Sequence, residues 1–190
     1  MSEVLKIQAP ESVLKRAAQI KLLLMDCDGV MTDGLIYFFP DGKGKMTEFK
    51  GFNSQDGLGL HFLHKCGLKS GIISGRDSPA VTERARILGM DYVYQGLLAK
   101  NQAYDEILKD CGYTPEQTAF IGDDFTDIPV MKRSGLAIAV KNARPEVIAS
   151  SHHVTAVDGG CGAVREAVEL ILKAQGLWSE VLAQYEISQL

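Results

Sequence analysis

The stretch Leu22–Gly34, LLLMDCDGVMTDG, decides the fold class. Its four apolar residues, Leu22 to Met25, make a strand-sized run, and Asp26 and Asp28 leave that run two positions apart before Gly29 lets the chain turn. In an open parallel sheet, ligands bind beyond the carboxyl ends of the strands, so acids placed there are candidates for chemistry as well as for a plain turn or helix cap. A calcium loop fits worse, because Val30 stands where such a loop needs an oxygen ligand.

Outward from this strand, short apolar runs alternate with helix-patterned segments, the pattern of stacked βαβ units. Strands are expected at Lys21–Met25, Lys69–Ile73, Asp91–Tyr94, Thr118–Ile121, Leu136–Val140 and His153–Ala156. Helices are expected at Gly57–Lys65, Pro79–Leu88, Asn101–Cys111, Asp127–Ser134 and Gly162–Ala174. The class is α/β, a Rossmann-like parallel sheet with helices on both faces. One segment breaks the rhythm: Leu35–Asn53 places LIYFF and KMTEFKGF around the turn-rich PDGKG, which predicts a β-hairpin inside the first crossover. No repeat or linker divides the chain, so residues 1–190 are expected to form one domain with this hairpin and a C-terminal tail from about Leu177. The tail carries apolar residues with nothing evident in the sequence to cover them, which suggests docking on another subunit.

Composition narrows the function classes. A 46% hydrophobic fraction supports a core, and no apolar run approaches the roughly 20 residues a bilayer requires. The first residues have no uninterrupted apolar stretch of the leader type, which points to a cytoplasmic address. Four cysteines are scattered without a CxxC, so they read as reduced thiols. A net charge of -4 provides no field for nucleic acid, so an anionic substrate must meet a local cluster or a metal ion.

Three more strand ends carry polar groups. GIISGR puts Ser74, Gly75 and Arg76 between a strand and a helix, which also suits a simple N-cap. Lys100 stands near the start of a helix, where the dipole disfavours a cation unless a negative partner compensates. AFIGDDFTD puts Asp123, Asp124 and Asp127 within five residues, and such mutual repulsion calls for a cation. Gathered at one sheet edge, these groups suit phosphoryl transfer: an aspartate attacks phosphorus, a hard cation such as Mg2+ neutralises charge, and Ser74 with Lys100 holds phosphoryl oxygens.

The segments DCDGV, IISGR, Lys100 and GDDFTD resemble, in order, the motifs of the haloacid dehalogenase superfamily. Through FKGFNSQDGLG, YVYQG, PVM and GGCGAVREAVELILKAQG, the region Lys21–Gly176 is similar to its small bacterial 3-deoxy-D-manno-octulosonate 8-phosphate phosphatase family. That resemblance implies a capless fold, a Mg2+-dependent phosphatase of lipopolysaccharide sugar biosynthesis acting through an aspartyl-phosphate, and a homotetramer in which one subunit's hairpin covers another's active site. It implies Asp26 as nucleophile and metal ligand, and Asp28 as acid and base with its backbone carbonyl on the metal. Asp123 becomes the last protein ligand, with Asp124 or Asp127 supporting the metal waters and Lys100. It further implies substrate contacts from Asn53, Ser54, Gln55, Asp56, Gly57, His61, Gly75, Arg76, Arg84 and Lys100, with Arg76 and Arg84 suited to a sugar carboxylate. Gln55, His61 and Cys161 depart from the basic residues that family often carries, which leaves open a related nine-carbon acid-sugar 9-phosphate. A receiver-like domain that accepts a phosphoryl group and stops there is the alternative of another class. His61 and His64 lack an acidic third ligand and read as a helix face rather than a metal pair, and DGGCG reads as a tight turn bordering the site.

Overall fold

Strand β1 (Leu22–Met25) is buried at every position, as a central parallel strand must be when helices cover both its faces. The computed structural model describes residues 9–187. Positions 1–8, on which the leader reading rests, and 188–190 of the expected tail lie outside the described residues.

After β1 the order is β2 (Tyr37–Pro40), β3 (Met46–Phe49), α2 (Ser54–Lys65), β4 (Lys69–Ile73), α3 (Pro79–Leu88), β5 (Tyr92–Tyr94) and α4 (Asn101–Cys111). Then come β6 (Thr118–Gly122), α5 (Ile128–Met131), β7 (Leu136–Ala139), α6 (Pro145–Ala149), β8 (His153–Val154), α7 (Ala163–Ala174) and α8 (Trp178–Ala183), while α1 (Glu11–Ala17) precedes β1. Six strands form one parallel sheet in the order β5-β4-β1-β6-β7-β8, and β2 pairs with β3 as a separate antiparallel hairpin. The chain runs outward from β1 to β4 and β5, then returns past β1 to β6. Right-handed crossovers therefore put α2 and α3 on one face and α4, α5 and α6 on the other. The packing of α2 on α7 and of α4 on α5 agrees. The reversal leaves a crevice beside the carboxyl end of β1.

All six expected strands and the hairpin are present. Helix α2 starts three residues earlier than Gly57, because the Asn53 side chain accepts from the Gln55 amide at 2.8 Å and caps it. The helix expected over Asp127–Ser134 shortens to α5. Helices α1 and α6 are too short, at seven and five residues, to impose a readable period. No helix among the described residues is long and apolar enough to cross a membrane.

The tail is partly covered within its own chain. Trp178 and Val181 of α8 are buried within this chain, with the Trp178 ring edge-on to Phe62 at 5.9 Å and the Arg165 guanidinium over it at 5.3 Å. Apolar spacing alone could not reveal that cover, because Phe62 lies more than a hundred residues away. Trp178→Ala is expected to cost about 3 kcal/mol of unfolding free energy, measured by urea denaturation. The far-UV spectrum of the rest of the fold should be unchanged.

Candidate active site

Strand register builds the site. Met25 lies opposite Ile72 of β4 and Ile121 of β6, so Asp26, Ser74 and Asp123 step off three adjacent strands at the same edge. The Asp26 amide still donates to Ile121 O at 3.0 Å, which fixes where the side chain leaves the sheet.

Lys100 is 2% exposed at the start of α4, the position the helix dipole disfavours. Its ammonium lies 2.7 Å from Asp127 Oδ1 and 2.9 Å from Asp26 Oδ1, the latter an ion pair too oblique to be a hydrogen bond. Burial alone would lower the Lys100 pKa, but the two aspartates outweigh it and hold it above its ordinary value. The other Asp127 oxygen accepts from the amides of Asp123 at 2.9 Å and Asp124 at 3.2 Å. Asp127 is therefore committed to Lys100 and the loop. Asp124 is exposed and accepts from the Phe125 amide, so of these two it is Asp127 that touches Lys100.

One ammonium faces three carboxylates here. Oxygens of Asp26, Asp123 and Asp127 all lie within 4.8 Å of one another. Burial raises the Asp123 pKa to about 8, with Asp26, Asp127 and Asp124 adding to it. Asp26 is raised to about 6 by burial, against the pull of Lys100 and with the push of Asp127. Asp123 Oδ1 is buried without a hydrogen-bond partner. Orphaned hard oxygens beside uncompensated negative charge fit a hard divalent cation such as Mg2+. Asp26 and Asp123 are the side chains with oxygens to give. Glycine makes the arrangement possible: Gly29 has φ 89°, and a Cβ there would stand 2.2 Å from Asp123 Oδ2.

At the mouth, Asp28 Oδ1 accepts from Lys50 Nζ, and Asp28 Oδ2 lies 3.7 Å from Arg76 Nε. Glu48 of β3 pairs with Arg76 and lies 3.3 Å from Lys50 Nζ. Ser74 is buried and its Oγ accepts from the Arg76 amide at 3.3 Å, leaving its own proton to donate. Gly75 leaves room for Leu98, which a Cβ would meet at 2.8 Å. Lys50 and Glu48 were not legible as site residues, and the only signal was their place at the end of the hairpin, beside FKGFN. DGGCG does border the site: the Gly160 amide donates to Val30 O at 2.9 Å.

The α2 residues divide. Asn53 caps the helix and donates to Gly160 O at 3.3 Å, while Ser54 and Gln55 are exposed at its first turn. Asp56 is fully buried and accepts from the Arg165 amide at 2.8 Å, anchoring the start of α7. Gly57 likewise faces Arg84 rather than the cluster, since a Cβ there would meet Arg84 Nη2 at 2.5 Å. Arg84 donates to Asn53 O at 3.3 Å and lies over the Phe52 ring, with no contact to the carboxylates among the described residues. His61 is exposed and tilts against Phe62, and Cys161 is exposed.

A family model described as haloacid dehalogenase-like hydrolase matches residues 63–167. The chain belongs to this family. Among family relatives, the 3-deoxy-D-manno-octulosonate 8-phosphate phosphatase of Yersinia pestis is 46% identical over 165 residues, covering 87% of this chain and 86% of that one. The Escherichia coli K12 enzyme of the same name is 40% identical over 172 residues, 90% of this chain and 89% of its own. The Moraxella catarrhalis phosphatase, solved with magnesium ion, phosphate ion and KDO, superposes with a TM-score of 0.87 at 39% identity, over 91% of this chain and 97% of that one. The resemblance read from the motifs is borne out.

The raised acids give a sign to pH dependence. Between about pH 4 and the Asp123 value of about 8, the folded protein keeps a proton that the unfolded chain has lost, so metal-free stability falls as pH rises through that window. Thermal melts should show that fall, and Asp123→Asn should flatten it. Because binding displaces the proton, Mg2+ affinity should rise by up to about tenfold per pH unit between about pH 6 and 8, and more steeply below about 6, where Asp26 also gives one up, as read by calorimetry.

Proposed function

We propose that the chain is a Mg2+-dependent phosphatase that hydrolyses 3-deoxy-D-manno-octulosonate 8-phosphate to the free sugar acid and phosphate, a step of lipopolysaccharide sugar biosynthesis. The observation that carries the reading is the buried Asp26–Lys100–Asp127 ion pairing beside orphaned carboxylate oxygens at the sheet's reversal point. The substrate comes from the relatives, whose names specify that sugar phosphate.

In this reading Asp26, Asp123 and the Asp28 backbone carbonyl hold Mg2+. When bound, the ion neutralises charge on the nucleophile and on the phosphoryl oxygens. Asp26 attacks phosphorus in line, and its Oδ bond to phosphorus forms as the bond to the sugar oxygen breaks. Asp28 gives that oxygen a proton, then takes one from the water that cleaves the aspartyl-phosphate. Ser74 Oγ and the Lys100 ammonium hold phosphoryl oxygens, and Lys100 also keeps Asp26 from repelling the incoming anion. The Arg76 guanidinium, 44% exposed, offers a fork to the sugar carboxylate.

The finer points belong to the same proposal: residues 1–190 act as one catalytic unit, in the cytoplasm, as a homotetramer whose contacts use the hairpin. Exposed Tyr37, Phe38, Phe39 and Phe49 on that hairpin favour burial against another chain. Light scattering at micromolar concentration should give four times the 20.7 kDa chain mass, and a monomer would remove the assembly from the reading.

Asp26→Asn should keep the fold and lose turnover by at least about a thousandfold in a Mg2+-dependent phosphate-release assay. Many turnovers by the unaltered protein would distinguish hydrolysis from a single phosphoryl acceptance. Eight- and nine-carbon sugar-acid phosphates should be hydrolysed faster than hexose phosphates. Equal rates across the set would refute a dedicated sugar-acid site.

A further inference from the structure

The hairpin reaches the mouth of the site through two charged side chains on alternate positions of one strand end. Lys50 Nζ donates to Asp28 Oδ1, and Glu48 Oε2 accepts from Arg76 Nη2. The two pairs are cross-linked, because Lys50 also lies 3.3 Å from Glu48 and Arg76 lies 3.7 Å from Asp28. The Lys50 side chain is fully enclosed and that of Asp28 is 19% exposed, so their pair is shielded, while Glu48 holds the half-exposed Arg76 at the solvent edge of the cluster.

Asp28 needs such help. It follows the turn at Cys27, and its carboxyl receives no backbone amide among the described residues; its recorded partners are Lys50 and Arg76. Asp127, by contrast, is fixed by two amides. A carboxyl that must meet a leaving oxygen at hydrogen-bond distance loses rate when its orientation wanders. We propose that Lys50 and Glu48 are positioning residues: Lys50 orients the Asp28 carboxyl for proton transfer, and Glu48 orients the Arg76 guanidinium for the substrate's carboxylate. The hairpin is thus a strap that carries part of the catalytic geometry, whatever else covers it. This inference rests on the phosphatase reading above, with Asp28 as the proton donor.

The reaction itself supplies the test. A sugar alkoxide leaves poorly without a proton, whereas p-nitrophenolate leaves well without one, and kcat/KM reports only the steps through departure of the alcohol. Lys50→Met should therefore lower kcat/KM for the sugar-acid phosphate by about 100-fold, with the loss in kcat rather than KM, and lower it by less than about tenfold for p-nitrophenyl phosphate. Glu48→Gln should raise KM for the sugar-acid phosphate severalfold with kcat retained, and leave KM for p-nitrophenyl phosphate in place. Equal losses on both esters in both variants, in protein whose circular dichroism and melting are those of the unaltered chain, would overturn the positioning roles. If Lys50→Met does not fold, Glu48→Gln alone decides for the strap through its KM split. No turnover of the sugar-acid phosphate by the unaltered protein would instead remove the proposed reaction, a result distinct from either.

Discussion

Lys100 sits under the sheet edge with an aspartate on either side, and its single positive charge is set against three carboxylates whose oxygens crowd within 4.8 Å. Much of the site's architecture answers that imbalance. Asp127 is neutralised locally by the ammonium and by two amides of its own loop, so it can be fully buried. Asp26 shares that ammonium and Asp123 has no cation of its own, and burial, with the neighbouring carboxylates, raises the pKa of both. A fold that concentrates negative charge in this way is destabilised at neutral pH unless something positive arrives, which is what a substrate-and-metal site requires.

The sheet supplies the concentration through its register. Parallel register brings the ends of β4, β1 and β6 level, so residues nearly a hundred positions apart in sequence leave the sheet together. The order reversal at β1 keeps the crevice there free of a covering connection. The mouth, in contrast, is built by elements outside the sheet: the hairpin, the first turn of α2 and the Gly159–Gly160 turn. Its geometry depends on ion pairs and on close backbone contact rather than on strand register.

This division explains what could be read from the sequence. Strand ends announce themselves, because an apolar run followed by Asp26, Ser74 or Asp123 fixes both the element and the edge. Lys100 was legible as an anomaly, a cation where the dipole disfavours one, but its burial between two acids needed the fold. The structural parts played by Asp56 and Gly57 were not legible, because position in a motif does not say which way a side chain points. One anchors α7 and the other makes room for Arg84. Lys50 and Glu48 were invisible because nothing local distinguishes a charge that turns back onto the site from one that faces water. Trp178 hid for the same reason, since its cover comes from a distant helix.

The glycine contacts at the floor have a further consequence. A Cβ on Gly159 would stand 1.7 Å from Gly29 O, as one on Gly29 would stand 2.2 Å from Asp123 Oδ2. Two loops are thus pressed together main chain against main chain, a third presses the Asp123 carboxylate onto Gly29, and not even a methyl group can be admitted. Gln55, His61 and Cys161, by comparison, are exposed. The scaffold is divided into a part that cannot drift and a part that can. Substitutions at the exposed positions can change the surface beside the site while the carboxylates and Lys100 stay where they are.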